Sequence, residues 1–295
     1  MNKRLEIYVT FKCNNNCLFC VEKENRHKFG NKVLFTNDQE IEQKLLEYKN
    51  QGYNHLNFLG GEPFMAKNII PLLQIAKKLN FQIALATNGY FLADNNLAQQ
   101  TLPLIDDLII SIHGHNQDLI NKQSQNQGLY DKLLLALDNI KQYFRGRLLK
   151  ANCVINKLNY KDLLSVLKFI NKQGINEVNF TSLIIKDYNQ DLIVQFNQLK
   201  LIIEELVKFS NESNMIIRFS DLPLCVLGDN YHLANHLFFE PRDKYYQDGA
   251  KDKNFLRQKV KPKICNHCEV TGICQGIDEA YFNLFQSDDL TALKK

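Results

Sequence analysis

The sequence predicts an α/β protein: a partial (β/α)6 barrel with a small, irregular C-terminal extension. Three observations lead there. Six short apolar or β-branched runs are each followed by an amphipathic segment of helical period. That alternation stops after Phe209. The 295 residues suffice for one large domain, or one large and one small. Six units fall short of the eight in a closed barrel, so an open, curved sheet is expected.

The strands are expected at Leu5–Thr10, His55–Leu59, Gln82–Ala86, Leu108–Ile112, Leu149–Ile155 and Glu177–Thr181. Between them, Ile41, Leu45 and Tyr48 share one helical face, and Thr36 with Gln39 suggests a capping box before it. Leu133, Leu137 and Ile140 form a second stripe, and Leu163, Leu167 and Ile170 a third. A fourth runs through Leu192, Phe196, Leu199 and Ile203. Met215–Phe219 can add one more strand, and beyond it Pro223, Pro241 and Pro262 break the pattern. A boundary is therefore placed near residue 215, giving modules 1–215 and 216–295.

Hydrophobic and charged fractions of 45% and 23% suit a folded, soluble protein. The net charge of +4 is too small to point to nucleic acid. The basic stretches Arg145–Lys150 and Lys259–Lys263 read as solvated faces. No run approaches the roughly 18 apolar residues of a membrane span. The first residues carry no apolar stretch of signal-peptide length, so no membrane role and a cytoplasmic location are expected. The eight cysteines fall as three near the start, four toward the end and Cys153 between. In a reducing compartment such clusters read as metal or cluster ligands.

The first strand runs into Cys13-Asn14-Asn15-Asn16-Cys17-Leu18-Phe19-Cys20, a C-x3-C-x2-C spacing. Three thiolates on one tight loop can hold three irons of a cubane, leaving the fourth open to a cofactor or substrate. Zinc prefers four protein ligands and paired C-x2-C knuckles, which this spacing fits poorly. The loop after strand one also lies at the C-terminal strand ends, where such folds place their chemistry.

This motif, with aromatic Phe19 before its last cysteine, resembles the signature of the radical S-adenosylmethionine superfamily. The resemblance implies a partial barrel and a [4Fe–4S] cluster whose open iron is chelated by S-adenosyl-L-methionine. It also implies reductive cleavage of that cofactor to a 5′-deoxyadenosyl radical that abstracts hydrogen from a substrate. Phe19 would lie near the adenine. Gly60-Gly61-Glu62-Pro63 at the end of strand two is similar to the family's GGEP motif, which binds the cofactor's amino group. On physical grounds alone, two glycines allow close backbone approach and Glu62 supplies an acceptor. Thr87 and Asn88 end strand three and match a Thr-Asn-Gly that lines the same pocket, although an Asn-Gly turn explains them equally well. Ser111 and Asn152 match further cofactor contacts. Strand alternation sets Cys153 on the opposite face from Asn152, in the core. His113 and His115 read as acid, base or loop residues.

Cys265-x2-Cys268-x5-Cys274 lies about forty residues after Cys225. Four cysteines can close a zinc site or ligate a second [4Fe–4S] cluster. The segment resembles the SPASM/twitch extensions of radical S-adenosylmethionine enzymes. By that resemblance Cys265, Cys268 and Cys274 ligate an auxiliary cluster, with Cys225 as the candidate fourth ligand. The implied substrate is a ribosomally made peptide, with a small metabolite as the alternative. An electron donor such as flavodoxin or ferredoxin is the implied partner. A non-catalytic iron–sulfur scaffold is the contrasting reading, and the cofactor-type motif at Glu62 argues against it. No dinucleotide fingerprint or P-loop is present.

Overall fold

The computed structural model describes residues 3–29, 35, 37–238, 243–245 (backbone only) and 258–294. In chain order, β1 is Lys3–Thr10, α1 Lys23–Phe29, α2 Asp38–Asn50 and β2 Tyr53–Gly60. Next come α3 Ile69–Lys78, β3 Gln82–Thr87, α4 Asn95–Thr101 and β4 Asp107–Ser111. Then follow α5 Gln117–Ser124, α6 Leu129–Tyr143, β5 Leu148–Ile155, α7 Leu163–Lys172 and β6 Glu177–Ser182. The chain continues with α8 Lys200–Ser213, β7 Ile216–Ser220, α9 Leu224–Leu227 and β8 Asp243–Tyr245. It ends in β9 Lys259–Val260, β10 Ile277–Asp278 and α10 Glu279–Phe285. The fold is α/β and consistent with a partial barrel, with a small antiparallel β9–β10 pair near the C-terminus.

The contacts divide the chain into two compact units. The first comprises Met1–Ser111, Ile120–Lys150 and Pro241–Asp252. Its strands lie in the order β4-β3-β2-β1-β8, and each adjacent pair is parallel. β1 and β2 are buried over most of their length, with Leu5, Ile7, Leu56 and Phe58 all at 1% exposure or less. Helix α2 sets Ile41, Leu45 and Tyr48 against this sheet, as the sequence periodicity indicates. Its cap differs from the expected one. Asn37 is the N-cap, and its side chain accepts the Glu40 N–H at 2.9 Å. Thr36, like Pro241, lies outside the described residues. Strand β8 was not expected. It is three residues long and takes the free edge of β1, a pairing that no local apolar pattern announces.

The second unit comprises Ile112–Leu119, Ala151–Glu240 and Lys253–Lys295. Its strands lie in the order β7-β6-β5, and β7 adds parallel to β6. Along β5 burial alternates, with Ala151, Cys153 and Ile155 inward and Asn152 and Val154 partly open. The fourth helical stripe is corrected. Leu192, Phe196 and Leu199 are buried, but they sit in short 3₁₀ turns before α8, whose own apolar face is Ile203 and Leu206. The cause is tertiary. The Phe196 N–H donates to Tyr281 Oη at 2.9 Å and to Asp289 Oδ2 at 2.8 Å, so it cannot serve a helix. Phe196 and Tyr281 also stack at 3.8 Å between centroids. Among the described residues no helix is long and apolar enough to cross a membrane.

Candidate active site and cysteine clusters

The loop after β1 carries Cys13, Cys17 and Cys20, all half-buried free thiols. Backbone bonds pin it to the end of α5: Asn16 N–H donates to the Ser124 carbonyl at 2.9 Å and Leu18 N–H to the Gln123 carbonyl at 3.0 Å. The asparagines between the first two cysteines tie it further. Asn126 Nδ2 donates to Asn15 Oδ1 at 2.8 Å, and the Asn15 N–H reaches Cys13 Sγ at 3.4 Å. Burial pushes the Cys13 thiol up to about 11 and the Cys17 thiol higher still. The neighbouring cysteines raise both further, while Arg26 opposes them. The three sulfurs therefore feel one another, and their thiolates call for a cation beside them.

The end of β2 is stitched to the same loop. Gly61 N–H donates to the Thr10 carbonyl at 2.8 Å, and Glu62 N–H to the Lys12 carbonyl at 2.7 Å. Gly60 has φ of +147°, and a Cβ there would collide with the Thr10 carbonyl. A Cβ on Gly61 would collide with the carbonyl of Lys12. Two bare backbones are thus needed to bring Glu62 beside the cysteine loop. Pro63 then opens a 3₁₀ turn.

Glu62 is 1% exposed. Thr87 Oγ1 donates to its Oε1 at 2.7 Å, the Asn88 N–H to its Oε2 at 2.8 Å and the Phe64 N–H to Oε1 at 3.3 Å. Burial outweighs these donors and pushes the carboxyl up to about 7. Asn88 Nδ2 donates to Asn14 Oδ1 at 2.9 Å and lies 3.8 Å from Cys13 Sγ. One hydrogen-bonded chain therefore joins Thr87, Glu62, Asn88 and the first cysteine. Phe19 is buried, and Ser111 ends β4 half-buried.

In the second unit, Asn179 Nδ2 donates to Asn152 Oδ1 at 2.9 Å, and Thr181 Oγ1 donates to the same oxygen at 3.1 Å. Ser220 Oγ donates to Asn179 Oδ1 at 2.9 Å. With its oxygen held twice, Asn152 presents its Nδ2 as a donor. His113 accepts the Val154 N–H on Nδ1 at 3.0 Å, and burial lowers its pKa to about 4. Its ring is neutral at physiological pH, with the proton on Nε2. Cys153 is fully buried in the core.

Cys225, Cys265, Cys268 and Cys274 line one small cavity, together with apolar side chains that include Val270 and Leu290. Burial pushes Cys225 up to about 11, and each of the other three cysteines raises it further. The Gly276 N–H donates to Cys274 Sγ at 3.4 Å. Gly276 itself has φ of +88°, and a Cβ there would strike the Val260 carbonyl.

A family model for the radical SAM superfamily matches residues 7–170, over half of the chain. The chain belongs to the radical SAM superfamily. Among curated proteins it is 26% identical over 257 residues to an S-adenosylmethionine-dependent nucleotide dehydratase of Lacinutrix mariniflava, covering 83% of this chain and 50% of that one. It is 28% identical over 180 residues to the GTP 3′,8-cyclase of Aquifex aeolicus, covering 59% and 54% respectively. The chain thus spans about half the length of the curated relatives it matches. Among solved structures, Streptococcus suis SuiB bound to S-adenosylmethionine superposes with a TM-score of 0.67 at 14% identity, over 99% of this chain and 76% of that one.

Radical SAM membership implies a [4Fe–4S] cluster and S-adenosylmethionine. The residues present fit both. Three mutually interacting thiols on one pinned loop match a three-cysteine cubane, and a buried carboxyl stands beside them. Among the described residues no three His, Cys, Asp or Glu side chains gather tightly enough for one metal ion. A cubane asks less, since each thiolate takes a different iron. Sequence reasoning missed Asn14, Asn15 and Arg26 around the loop and Asn179, Thr181 and Ser220 around Asn152. The run of three asparagines inside the cysteine motif was the available signal for the first group.

Proposed function

We propose that Cys13, Cys17 and Cys20 hold the [4Fe–4S] cluster and that Glu62 receives the amino group of S-adenosylmethionine. Phe19, Gly60, Gly61, Pro63, Thr87, Asn88, Ser111 and Asn152 complete the cofactor pocket in this reading. When bound, cluster and cofactor together supply a 5′-deoxyadenosyl radical that takes a hydrogen atom from the substrate. The chain's part is to hold, orient and shield. The observation that carries this reading is the hydrogen-bonded run from Thr87 through Glu62 and Asn88 to Cys13, which couples the acceptor to the cluster loop. Anaerobically reconstituted protein with dithionite should convert S-adenosylmethionine to 5′-deoxyadenosine and methionine. The Cys13→Ala/Cys17→Ala/Cys20→Ala variant should give none, and unchanged turnover in it sinks the assignment.

Module 216–295 is proposed to carry an auxiliary [4Fe–4S] cluster on Cys225, Cys265, Cys268 and Cys274, supported by their shared cavity. With it goes a ribosomally made peptide as substrate, on the resemblance of this segment to SPASM/twitch extensions. A nucleotide is the second reading, favoured by the nucleotide-directed curated relatives. Deuterated peptide and nucleoside triphosphate panels separate the two: only the true substrate should pass deuterium into 5′-deoxyadenosine. The free cysteines suit a reducing, cytoplasmic location.

A further inference from the structure

Strands β6 and β7 divide their side chains between two unlike faces. Val178, Phe180, Ile217 and Phe219 are buried, and Phe180 stacks on Phe219 at 5.8 Å between ring centroids. The register pairs Asn179 with Arg218 and Thr181 with Ser220, so these four share the opposite, half-buried face. Three of them are engaged: Asn179 and Thr181 hold Asn152, and Ser220 holds Asn179. Arg218 is not. Among the described residues it makes no hydrogen bond and no ion pair, and Glu177 on the same face does not reach it. Its guanidinium carbon lies 4.0 Å from the ring centroid of Phe238, a ring that is itself 52% exposed. Arginine is rarely withdrawn from water without an acceptor, because the bare charge forfeits its hydration. The ring steadies the guanidinium by a cation–π contact but gives its N–H edge no oxygen. A fork of donors held in place with no acceptor matches a planar oxyanion.

We propose that Arg218 anchors the substrate by the carboxylate of an acidic peptide side chain, with Phe238 as the plate that positions it. The inference deepens the peptide reading and rests on it. On β6 and β7 this face carries one cation, Arg218, and one acid, Glu177. One guanidinium balances one carboxylate. A triphosphate would bring several negative charges to the same cation with Glu177 nearby, and like charges repel. The anchor also shares its face with Asn152, which is tied to it through Asn179, its register partner. A carboxylate held at Arg218 therefore fixes the substrate at a set place along the sheet relative to Asn152, the residue proposed at the cofactor. Such fixed placement is what hydrogen abstraction requires, since the reacting atoms must already be in line when the radical forms.

The test pans a phage-displayed random peptide library on the full-length, reconstituted protein with S-adenosylmethionine, so that binding is read without turnover. The wild type should enrich Asp or Glu at one position by about tenfold or more, the worth of a charge-assisted hydrogen bond. Arg218→Gln should lose that preference while keeping its iron and its Tm, and Arg218→Lys should keep part of it. Arg218→Glu should invert it toward Lys and Arg, an outcome that a merely structural role does not produce. Phe238 is exposed, so Phe238→Leu leaves the core intact and should weaken the preference even if the Arg218 variants fold poorly. The same acidic preference in Arg218→Gln, or peptides enriched without one, overturns the proposal. Titration with each nucleoside triphosphate forms the second arm. Binding that falls in Arg218→Gln, with no acidic preference in the wild type, assigns Arg218 to phosphate and overturns the carboxylate. A wild type that enriches no peptide at all brings down the peptide reading itself, a result distinct from the others.

Discussion

At the residue scale the proposed cofactor site turns on Glu62. A carboxyl with three donors would ordinarily ionise easily, yet burial pushes it up to about 7. Removing the side chain should weaken S-adenosylmethionine binding by about 1–3 kcal/mol, the worth of a charge-assisted hydrogen bond, while iron content stays unchanged. Loss of iron with unchanged affinity in what remains would make the role structural. The raised pKa also fixes a pH dependence. On the proposed role, below about pH 7 the cofactor-free carboxyl holds a proton that must leave when the cofactor's amino group arrives; above it the carboxyl has none to release. Calorimetry in buffers of different ionisation enthalpy should therefore show Glu62-dependent proton release at pH 6 that vanishes by pH 8.5. The Glu62→Gln protein should lack this Glu62-dependent part of the release at both pH values. Asn152 offers a second check. Thr181→Val removes one of the two donors fixing its amide, so cofactor affinity should fall several-fold with iron content retained.

At the scale of elements, the end of β2 and the loop after β1 behave as one unit. Gly60 and Gly61 let the two backbones touch, and Glu62 is aimed as a consequence. Gly61→Ala places a methyl group against a backbone carbonyl, which yields less readily than a flexible side chain. It should cost about 1–3 kcal/mol, the usual range for overpacking, read as a lower Tm in cofactor-free protein. It should also loosen the cysteine loop, seen as faster loss of iron to a chelator than in the wild type. An unchanged Tm would mean that the loop moves aside freely. Strands β1 to β6 and helices α2, α6 and α7 were legible beforehand, because residues such as Leu56, Phe58, Leu133 and Leu137 repeat with the period of the element they occupy. The segment 187–198 was not, since Phe196 gives its N–H to Tyr281 and Asp289 far along the chain.

For the whole molecule, the question is what the two cysteine groups hold. With two cubanes the wild type should carry about eight irons. The Cys13→Ala/Cys17→Ala/Cys20→Ala protein should stay brown, keep about half of that iron and show a signal that S-adenosylmethionine does not perturb. A colourless variant with about one zinc would assign the second group to a structural zinc site. Zinc cannot change oxidation state, so module 216–295 would then brace the chain without exchanging electrons with a substrate radical. Elemental analysis of that one preparation decides it.

By itself the sequence determined the α/β alternation, the parallel strands, the three-cysteine loop and the Gly-Gly-Glu-Pro turn. These are local patterns: a period of 2 or 3.6, a fixed cysteine spacing, a glycine pair at a strand end. Only the tertiary structure decided that Cys225 meets Cys265, Cys268 and Cys274 in one cavity, and that β8 pairs with β1. It alone brought Asn88 to Cys13, and Asn179 with Thr181 onto Asn152. Such contacts join residues through space, and where they meet depends on the path of the folded backbone, which no local period encodes.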